Sequence, residues 1–368
     1  MKYQTVLLKP ASSLCNMRCK YCFYSEVSTQ RKTASHGIMT RETVKAVIDS
    51  IFKELSDGDE VSFAFQGGEP TLAGLSFFKD FVSIVQSRRS GVFVNFSMQT
   101  NGLLLDELWC EFLSKNKFLT GLSLDGDYHD NNRIDASGCG TFNRVLKSMQ
   151  LLDKYKVEYN ILCVLTNRSA RYPQKMWNFI LKHNIKYIQF IPCLSDLNRE
   201  LSPAALKPDR FASFYTELFS FWKKEFMSGN YISVKLFDDL FNLLIKKAVT
   251  ACGFTGSCPT QIVVESDGSV YPCDFYSLDY WRLGNIKNQT ISALKQTEKA
   301  KEFSSRDREE ETLCISCKYI KICGGGCPKM KSNMYIGDNK AFCGYKAFLD
   351  NSRYKIEEVI TLLSALKG

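Results

Sequence analysis

Short apolar runs recur along the first half of the chain and alternate with longer amphipathic stretches. The runs are rich in β-branched and aromatic residues, which favours buried strands; they are 6–8, 61–65, 92–98, 119–124, 157–165 and 187–191. The stretches between them, with apolar residues at helical spacing, are 40–55, 75–87, 106–115, 142–155 and 173–183. This alternation predicts parallel strands joined by right-handed crossovers. We therefore expect an α/β fold built on a partial, open six-stranded parallel (β/α) barrel.

The loop after the first strand carries three cysteines, Cys15, Cys19 and Cys22, at spacings of four and three. Functional loops of such barrels lie at the carboxyl ends of the strands. Three thiolates hold three irons of a cluster that normally takes four protein ligands. The fourth iron is then open, as in a catalytic rather than a structural metal site. Zinc is the alternative, although zinc ligands usually come as two CxxC-type pairs.

Later strand ends also carry candidate ligand-binding residues. Gln66-Gly67-Gly68-Glu69-Pro70 follows the second strand, where glycines permit close backbone approach and a carboxylate can meet an ammonium group. Arg133, after the fourth strand, is a cation that could hold a carboxylate. These positions predict a ligand site at the same edge as the cysteine loop.

Beyond the sixth strand, 194–209 is predicted to be a loop, and 211–227 and 234–249 are predicted to be amphipathic helices covering the open side of the barrel. We predict two domains: the barrel at 1–233, and a cysteine-rich iron-sulfur module with its preceding helix at 234–368. The second contains eight cysteines: Cys252, Cys258, Cys273, Cys314, Cys317, Cys323, Cys327 and Cys343.

A hairpin is predicted at 261–271, because Asp267-Gly268 is a strong turn signal between two β-branched runs. Antiparallel pairing would bring Cys258 and Cys273 together at its open end. The other four cysteines lack ligand-like spacing and are expected to be buried structural thiols; they are Cys110, Cys139, Cys163 and Cys193.

Composition narrows the class of protein. The chain has 368 residues, a formal net charge of +9, fifteen cysteines and three dispersed histidines. Residues 1–10 lack the long apolar stretch of a secretion signal, so we expect the cysteines to serve metal or redox chemistry rather than disulfides. The basic residues are scattered, which favours a solvated surface over a nucleic-acid site, and no apolar run is long enough to span a bilayer. We expect a cytoplasmic protein with neither nucleic-acid nor membrane partners.

The C-x3-C-x2-C loop, with Tyr21 before its last cysteine, resembles the radical S-adenosylmethionine (SAM) superfamily. By that resemblance the cysteine loop holds a 4Fe-4S cluster, and a Gly-Gly-Glu motif contacts the amino group of SAM. The motif is matched by Gly67, Gly68 and Glu69. Further SAM contacts are implied at Tyr21, Ser123, Arg133 and Leu194.

The run Cys314-x2-Cys317-x5-Cys323-x3-Cys327, followed by Cys343, resembles the SPASM module of peptide-modifying radical SAM enzymes. The resemblance implies two auxiliary 4Fe-4S clusters, making three in all. Their implied ligand sets are Cys252, Cys258, Cys273 and Cys327 for one, and Cys314, Cys317, Cys323 and Cys343 for the other.

Three longer segments, 9–13, 63–74 and 264–276, together with 281–286, resemble the anaerobic sulfatase-maturating enzymes. Such enzymes oxidise a Cys or Ser of a sulfatase to Cα-formylglycine (3-oxoalanine), and consume SAM to give methionine and 5'-deoxyadenosine. The resemblance implies Asp274 as the base and makes Tyr24 a candidate substrate contact. It also implies an unfolded sulfatase segment carrying Cys/Ser-x-Pro/Ala-x-Arg as substrate, and an electron donor such as flavodoxin or ferredoxin.

Two other functions are compatible with parts of the pattern. A SPASM-type maturase of another ribosomal peptide would share every cluster cysteine, and only the segments around Gln66, Asp274 and Trp281 favour sulfatase maturation. A zinc-bearing nucleic-acid-binding protein is suggested by the CxxC pair and the positive charge.

Overall fold

A computed structural model describes residues 1–88, 91–197, 202–247, 252–254, 256–306, 312–336 and 340–365. The chain divides into two compact units. The first comprises Met1–Ser123, Asp130–Tyr159 and Pro259–Arg306, and the second Leu124–His129, Asn160–Cys258 and Asp307–Gly368. The first unit thus contains a segment, 259–306, that lies beyond the domain boundary predicted at 233/234. That boundary stays a prediction.

The six strands expected from the apolar runs are all present. They are β1 (Tyr3–Leu8), β2 (Glu60–Phe65), β3 (Phe93–Thr100), β4 (Phe118–Ser123), β5 (Tyr159–Leu165) and β6 (Tyr187–Pro192). Four short strands follow: β7 (Ser233–Val234), β8 (Val263–Val264), β9 (Ser269–Tyr271) and β10 (Gly284–Asn285). The described helices are α1 (Phe23–Thr29), α2 (Arg41–Phe52), α3 (Leu75–Arg88), α4 (Glu107–Lys115), α5 (His129–Asn132), α6 (Phe142–Lys154), α7 (Pro173–Lys182), α8 (Pro208–Met227), α9 (Lys235–Phe241), α10 (Ile291–Lys295), α11 (Glu298–Ser305), α12 (Thr312–Ile315), α13 (Ile320–Cys323) and α14 (Gly344–Ala365).

In the first unit the strand order is β10-β9-β8-β1-β2-β3-β4. Strands β1 to β4 pair in parallel, with Val6 opposite Phe63 and Phe63 opposite Phe96. Helix α2 begins as its sequence predicts, since the Thr40 side chain accepts a hydrogen bond from the Thr43 backbone N–H. The α/β class with a mainly parallel sheet is confirmed.

The predicted hairpin is also confirmed, because β8 and β9 are antiparallel and Gly268 occupies the turn with a φ of +91°. Its sheet position was not predicted. Strand β8 pairs in parallel with β1, placing Leu8 opposite Val264, and the Lys9 N–H donates to the Val264 carbonyl over 2.9 Å. The end of β1 therefore lies beside the residues that follow the hairpin.

Aromatic side chains fill the core of the first unit between sheet and helices. Phe65 meets Phe78 and Phe81 of α3 edge-on at centroid distances of 5.0 Å, and Phe96 stacks on Phe118 at 5.0 Å. Burying side chains of this size stabilises the sheet that presents the loops. The rigid end of each strand thus fixes where its following loop begins.

The second unit contains β5 from its second residue, β6 and β7, all pairing in parallel. Helix α14 packs against α8, where Phe219 meets Phe237 and Phe348. The helix predicted at 234–249 is present as α9, continued by a π-helical turn, Asn242–Lys246, and its last two residues lie outside the described residues. None of the described helices combines the length and apolarity that a membrane span needs.

Candidate active site

The cysteine loop is held in place by the loop that follows β2. The Gly68 N–H donates to the Ser12 carbonyl over 2.9 Å, and the Glu69 N–H donates to the Leu14 carbonyl over 2.8 Å. A Cβ atom on Gly68 would lie 2.1 Å from the Leu14 oxygen, so only glycine fits there. The sequence predicted close backbone approach at this glycine, and in the structure the neighbour that it approaches is the cysteine loop.

Nitrogen donors lie around the cysteine sulfurs. The Met17 N–H approaches the Cys15 sulfur at 3.4 Å, and Asn101 Nδ2 lies 3.9 Å from it. A guanidinium nitrogen of Arg133 lies 3.9 Å from the Cys19 sulfur. Donors placed on sulfur stabilise the thiolate, which is the form that binds metal.

The thiol of Cys15 is costly to ionise without a metal. Desolvation of its sulfur, together with the negative charges of Glu69, Cys19 and Cys22, raises the pKa of Cys15 to about 12. A cationic iron core bound by the three thiolates would relieve that repulsion. The three cysteines therefore fit a cluster with one iron left for another ligand.

Glu69 is buried, and its carboxylate is occupied by donors of the chain itself. Oε1 accepts from the Thr71 N–H at 3.1 Å, the Thr71 hydroxyl at 2.6 Å and the Thr100 hydroxyl at 2.7 Å, and Oε2 accepts from the Asn101 N–H at 2.7 Å. Burial nevertheless raises the pKa of Glu69, against the pull of these hydrogen bonds. The side chain ties the loops after β2 and β3 together, a role that sequence reasoning missed.

The other predicted SAM contacts are distributed over both units. Arg133 lies over the ring of Tyr21, 5.4 Å from its centroid, beside the cysteine loop. Ser123 is the last residue of β4 and is half-buried. Leu194, which follows β6, is half-buried in the second unit. Their roles toward SAM stay predictions.

Asp274, the predicted base, lies next to Tyr24, the candidate substrate contact. The Tyr24 hydroxyl donates to Asp274 Oδ2 over 2.6 Å and also lies 3.4 Å from Gln66 Oε1. Desolvation, together with the Asp274 charge, raises the pKa of Tyr24 well above its ordinary value, so the hydroxyl remains a donor.

The opposite oxygen of Asp274 faces a buried ammonium group that sequence reasoning did not assign. Lys9 Nζ lies 3.0 Å from Asp274 Oδ1, as an ion pair without hydrogen-bond alignment, and 3.5 Å from Glu265 Oε1. The Arg31 guanidinium binds Glu265 at 2.7 Å and donates to the Ser277 carbonyl. The available signal was a lysine ending an apolar strand, where burial of a charge requires a partner.

In the second unit, four of the module's cysteines influence one another. Burial, together with Cys343, Cys314 and Cys317, raises the pKa of Cys323 to about 11. Helix α13 ends at Cys323, and the three glycines that follow, Gly324, Gly325 and Gly326, all have positive φ. A Cβ on Gly256 would lie within 1.7 Å of the Gly324 oxygen. Cys314, Cys317, Cys323 and Cys343 therefore fit one cluster, because a cationic iron core would relieve the repulsion among their thiolates.

The remaining predicted ligands are divided between the units. Cys252, Cys258 and Cys327 belong to the second unit and Cys273 to the first, and this ligand set stays a prediction. Within the described ranges, no group of three or more His, Cys, Asp or Glu side chains has the geometry of a site for a single metal ion.

Of the four cysteines expected to be structural thiols, Cys110, Cys163 and Cys193 are buried. Cys139 is exposed, and for it the expectation was wrong, because it lies in a tight polar turn where Asp135 accepts from its N–H. Burial, with Asp125 and Asp196 nearby, raises the pKa of Cys193 to about 12, which makes this thiol unreactive.

Family models match both halves of the chain. The model described as the radical SAM superfamily matches residues 10–179, and the SPASM model, an iron-sulfur cluster-binding domain, matches 252–318. A cysteine-type anaerobic sulfatase-maturating enzyme of Clostridium perfringens is 43% identical over 99% of both chains. A serine-type enzyme of Bacteroides thetaiotaomicron is 29% identical, covering 88% of this chain and 82% of its own.

Solved structures give the same relationship. A native sulfatase-maturating enzyme (anSMEcpe) with bound S-adenosylmethionine and a peptide is similar with a TM-score of 0.89, at 40% identity over 98% of this chain and 99% of its own. Streptococcus suis SuiB bound to its precursor peptide, at 17% identity, 89% and 72% coverage and a TM-score of 0.62, shares the fold. The chain belongs to the anaerobic sulfatase-maturating enzymes, radical SAM enzymes that use 4Fe-4S clusters and SAM.

Proposed function

We propose that this enzyme oxidises a cysteine side chain in an unfolded sulfatase segment to Cα-formylglycine. The observation that carries the proposal is the Asp274 carboxylate, which follows the predicted cluster ligand Cys273 and accepts the Tyr24 hydroxyl over 2.6 Å. Cysteine is favoured over serine because cysteine-type relatives are 38–43% identical, whereas the serine-type ones are 28–29% identical.

The overall chemistry removes one hydrogen atom from the substrate Cβ, and then one electron and the side-chain proton. When bound, SAM and the reduced cluster supply the hydrogen-abstracting radical, and the auxiliary clusters supply the electron acceptor. A cysteine substrate then has a C=S bond, which water converts to the aldehyde with release of hydrogen sulfide. A serine substrate would yield the aldehyde directly.

In the step after hydrogen abstraction, the protein itself must provide a group that accepts the side-chain proton. A carboxylate is a weak base toward a thiol or an alcohol, but the side chain becomes more acidic as the neighbouring carbon is oxidised. Position therefore matters more than basicity. We assign Asp274 Oδ2 as the acceptor, since the Tyr24 hydroxyl donates to that oxygen and Lys9 faces the other.

The residues proposed to hold the first cluster are Cys15, Cys19 and Cys22, with Arg133 and Asn101 donating toward their sulfurs. We keep the Gly67-Gly68-Glu69 loop as the site for the SAM amino group. Since the Glu69 oxygens already accept four hydrogen bonds, we propose that backbone carbonyls of the loop accept from the ammonium group.

The substrate must arrive as an extended segment, because a buried residue of a folded sulfatase could not reach a site at the strand ends. We propose recognition of Cys-x-Pro-x-Arg or its Ala variant, and reduction by a small donor such as flavodoxin or ferredoxin. A cytoplasmic location without nucleic-acid or membrane partners is part of the proposal.

The decisive experiment incubates the anaerobically reconstituted, reduced enzyme and SAM with a Cys-x-Pro-x-Arg peptide and its Ser counterpart. We expect 5'-deoxyadenosine and a peptide aldehyde, with the Cys peptide converted faster. Deoxyadenosine without any aldehyde would instead favour a maturase of another ribosomal peptide. A colourless zinc protein that cleaves no SAM would contradict the proposed function altogether.

A further inference from the structure

Four charged side chains form a buried group at the end of β1. Lys9, Arg31 and Glu265 have side chains that are 2%, 3% and 1% exposed, and that of Asp274 is 14% exposed. The group contains two cations and two carboxylates, so its formal charges cancel. A buried charge is tolerated when it is paired, and the pairing within this group therefore decides what each member does.

Arg31 and Glu265 satisfy each other directly. The guanidinium of Arg31 lies 2.7 Å from Glu265 Oε1, and its Nε donates to the Ser277 carbonyl. Burial favours the neutral carboxyl, yet Lys9 and Arg31 together hold the pKa of Glu265 below its ordinary value. Glu265 thus carries a negative charge and already has a close cation in Arg31.

Lys9 is nearer to Asp274 than to Glu265, at 3.0 Å against 3.5 Å. Its ammonium group is held from two further directions: it donates to the Ser277 hydroxyl over 3.0 Å, and it lies 5.2 Å from the centroid of the Tyr24 ring. The Lys9 stem passes close to the Gly67 backbone, because a Cβ added to Gly67 would lie 3.2 Å from Lys9 Cβ and Cγ. The ammonium group is therefore held by Asp274, Glu265, Ser277 and the Tyr24 ring together.

This arrangement gives the two oxygens of Asp274 different surroundings. Oδ1 faces the ammonium of Lys9, whereas Oδ2 accepts the Tyr24 hydroxyl near Gln66. Rotation of the carboxylate would have to break both interactions. A carboxylate held in this way keeps Oδ2 on the side of Tyr24, the candidate substrate contact.

We propose that Lys9 is a positioning residue for the oxidation step, which holds Asp274 Oδ1 so that Oδ2 is aligned to receive the substrate proton. The inference rests on the proposed function, because it needs Asp274 to act as the proton acceptor. Lys9 itself touches neither substrate nor cofactor in this role. Its loss should lower the amount of formylglycine that forms after each hydrogen abstraction.

The test uses the reconstituted holoenzyme and a substrate peptide deuterated at the cysteine Cβ. The readout is the amount of formylglycine per deuterium-labelled 5'-deoxyadenosine, which separates abstraction from the step that follows it. For Lys9→Met we expect this ratio to fall about 10²-fold, the loss typical of a misplaced catalytic group. Lys154→Met, which removes an exposed lysine paired with Glu107, is the control and should leave the ratio unchanged.

A double variant shows whether Lys9 acts through Asp274. If it does, Lys9→Met combined with Asp274→Asn should have the same ratio as Asp274→Asn alone, because the group that Lys9 positions is already gone. If the loss in the double variant were instead the product of the losses in the two single variants, the inference would be overturned. A normal ratio in Lys9→Met would overturn it as well. A general structural defect would lower both products together and leave their ratio intact, which also contradicts it.

The outcomes separate this inference from the proposed function. A wild-type enzyme that makes no aldehyde, or an Asp274→Asn variant with a normal ratio, contradicts the proposed function and removes the basis for Lys9. Loss in Asp274→Asn without loss in Lys9→Met contradicts only the role of Lys9. Should Lys9→Met not yield folded protein, Lys9→Gln, which retains a donor for Ser277, supplies the same comparison with the same expected fall.

Discussion

The hydroxyl of Tyr24 donates a hydrogen bond to Oδ2 of Asp274 over 2.6 Å. Tyr24 is the second residue of α1, the helix after the cysteine loop, and Asp274 follows the hairpin of the C-terminal module. The contact depends on the pairing of β8 with β1, which brings the hairpin beside the first loop. A residue first assigned to the substrate is therefore also a partner of the proposed base.

Replacing Tyr24 by Phe keeps the ring and removes this donor. A hydrogen bond to a charged group contributes about 1.5–3 kcal/mol, so we expect formylglycine per 5'-deoxyadenosine to fall about tenfold or more. The same ratio measured for Tyr280→Phe is the control, since Tyr280 is an exposed tyrosine that donates to Glu302 over 2.6 Å. Equal ratios in wild type and Tyr24→Phe would show that the hydroxyl has no part in the oxidation.

The raised pKa of Tyr24 adds a pH expectation for the wild-type enzyme. A tyrosine whose pKa is raised keeps its proton above the ordinary value of 10, so the donor persists throughout the neutral and moderately alkaline range. The product ratio should therefore show no loss from this hydroxyl up to about pH 10, where a tyrosine of ordinary pKa would already be half ionised. This can be read from the same assay in a series of buffers.

Asp274→Asn tests the proton acceptor itself. The amide has nearly the same shape but cannot take the substrate proton, so we expect SAM cleavage to continue while formylglycine falls by about 10²-fold or more. Cys15→Ala should differ, because loss of a first-cluster ligand abolishes SAM cleavage as well. Product analysis by mass spectrometry distinguishes the two patterns.

Asp279→Asn is the matched control for that substitution, since Asp279 is an exposed aspartate nearby that accepts from the Lys32 N–H. It should turn over normally. Normal formylglycine formation by Asp274→Asn would instead remove Asp274 as the base.

Gly68→Ala tests the close contact between the loop after β2 and the cysteine loop. The added Cβ would lie 2.1 Å from the Leu14 carbonyl oxygen, and backbone atoms cannot move aside as a flexible side chain can. We expect the cysteine loop to shift and the protein to lose about four of its irons, those of the first cluster. Iron analysis with electron paramagnetic resonance of the reduced protein measures this loss.

The control for Gly68→Ala is Gly74→Ala, which lies in the same loop after β2. Gly74 has a φ of +83° and nothing nearer than 3.9 Å to an added Cβ, so alanine there adds backbone strain without a clash. That strain costs about 1 kcal/mol, and the iron content should be unchanged. A full iron complement in Gly68→Ala would mean that the Leu14 carbonyl is free to move.

The strands were predictable because their signals are local. The apolar runs marked six strands to within three residues at each end. Cysteine spacing is local in the same way and marks the candidate cluster ligands, which stay predictions. The pairing of β8 with β1 was not predictable, since Asp267-Gly268 determines the turn of the hairpin but not the strand that it joins. Lys9 therefore gave no sign that its partners were Glu265 and Asp274.

Glu69 is a second residue whose contacts could not be predicted from the sequence. Its place in a Gly-Gly-Glu motif indicated a ligand contact, and the chain alone could not reveal that Thr71, Thr100 and Asn101 would converge on its carboxylate. A buried carboxylate needs several donors, but which loops supply them depends on strand order. Functional motifs can thus be found by spacing before the contacts that position them are known.

Removing Cys314 tests the cluster of the second unit separately from the first. Because Cys314, Cys317, Cys323 and Cys343 are proposed to share one cluster, Cys314→Ala should reduce the iron content from about twelve to about eight per chain. Formylglycine formation should fall while SAM cleavage at the first cluster continues, since electron exit and radical generation use different clusters. Cys139→Ser replaces an exposed cysteine outside the ligand sets and should keep about twelve irons. Twelve irons in both variants would mean that Cys314 is not a cluster ligand.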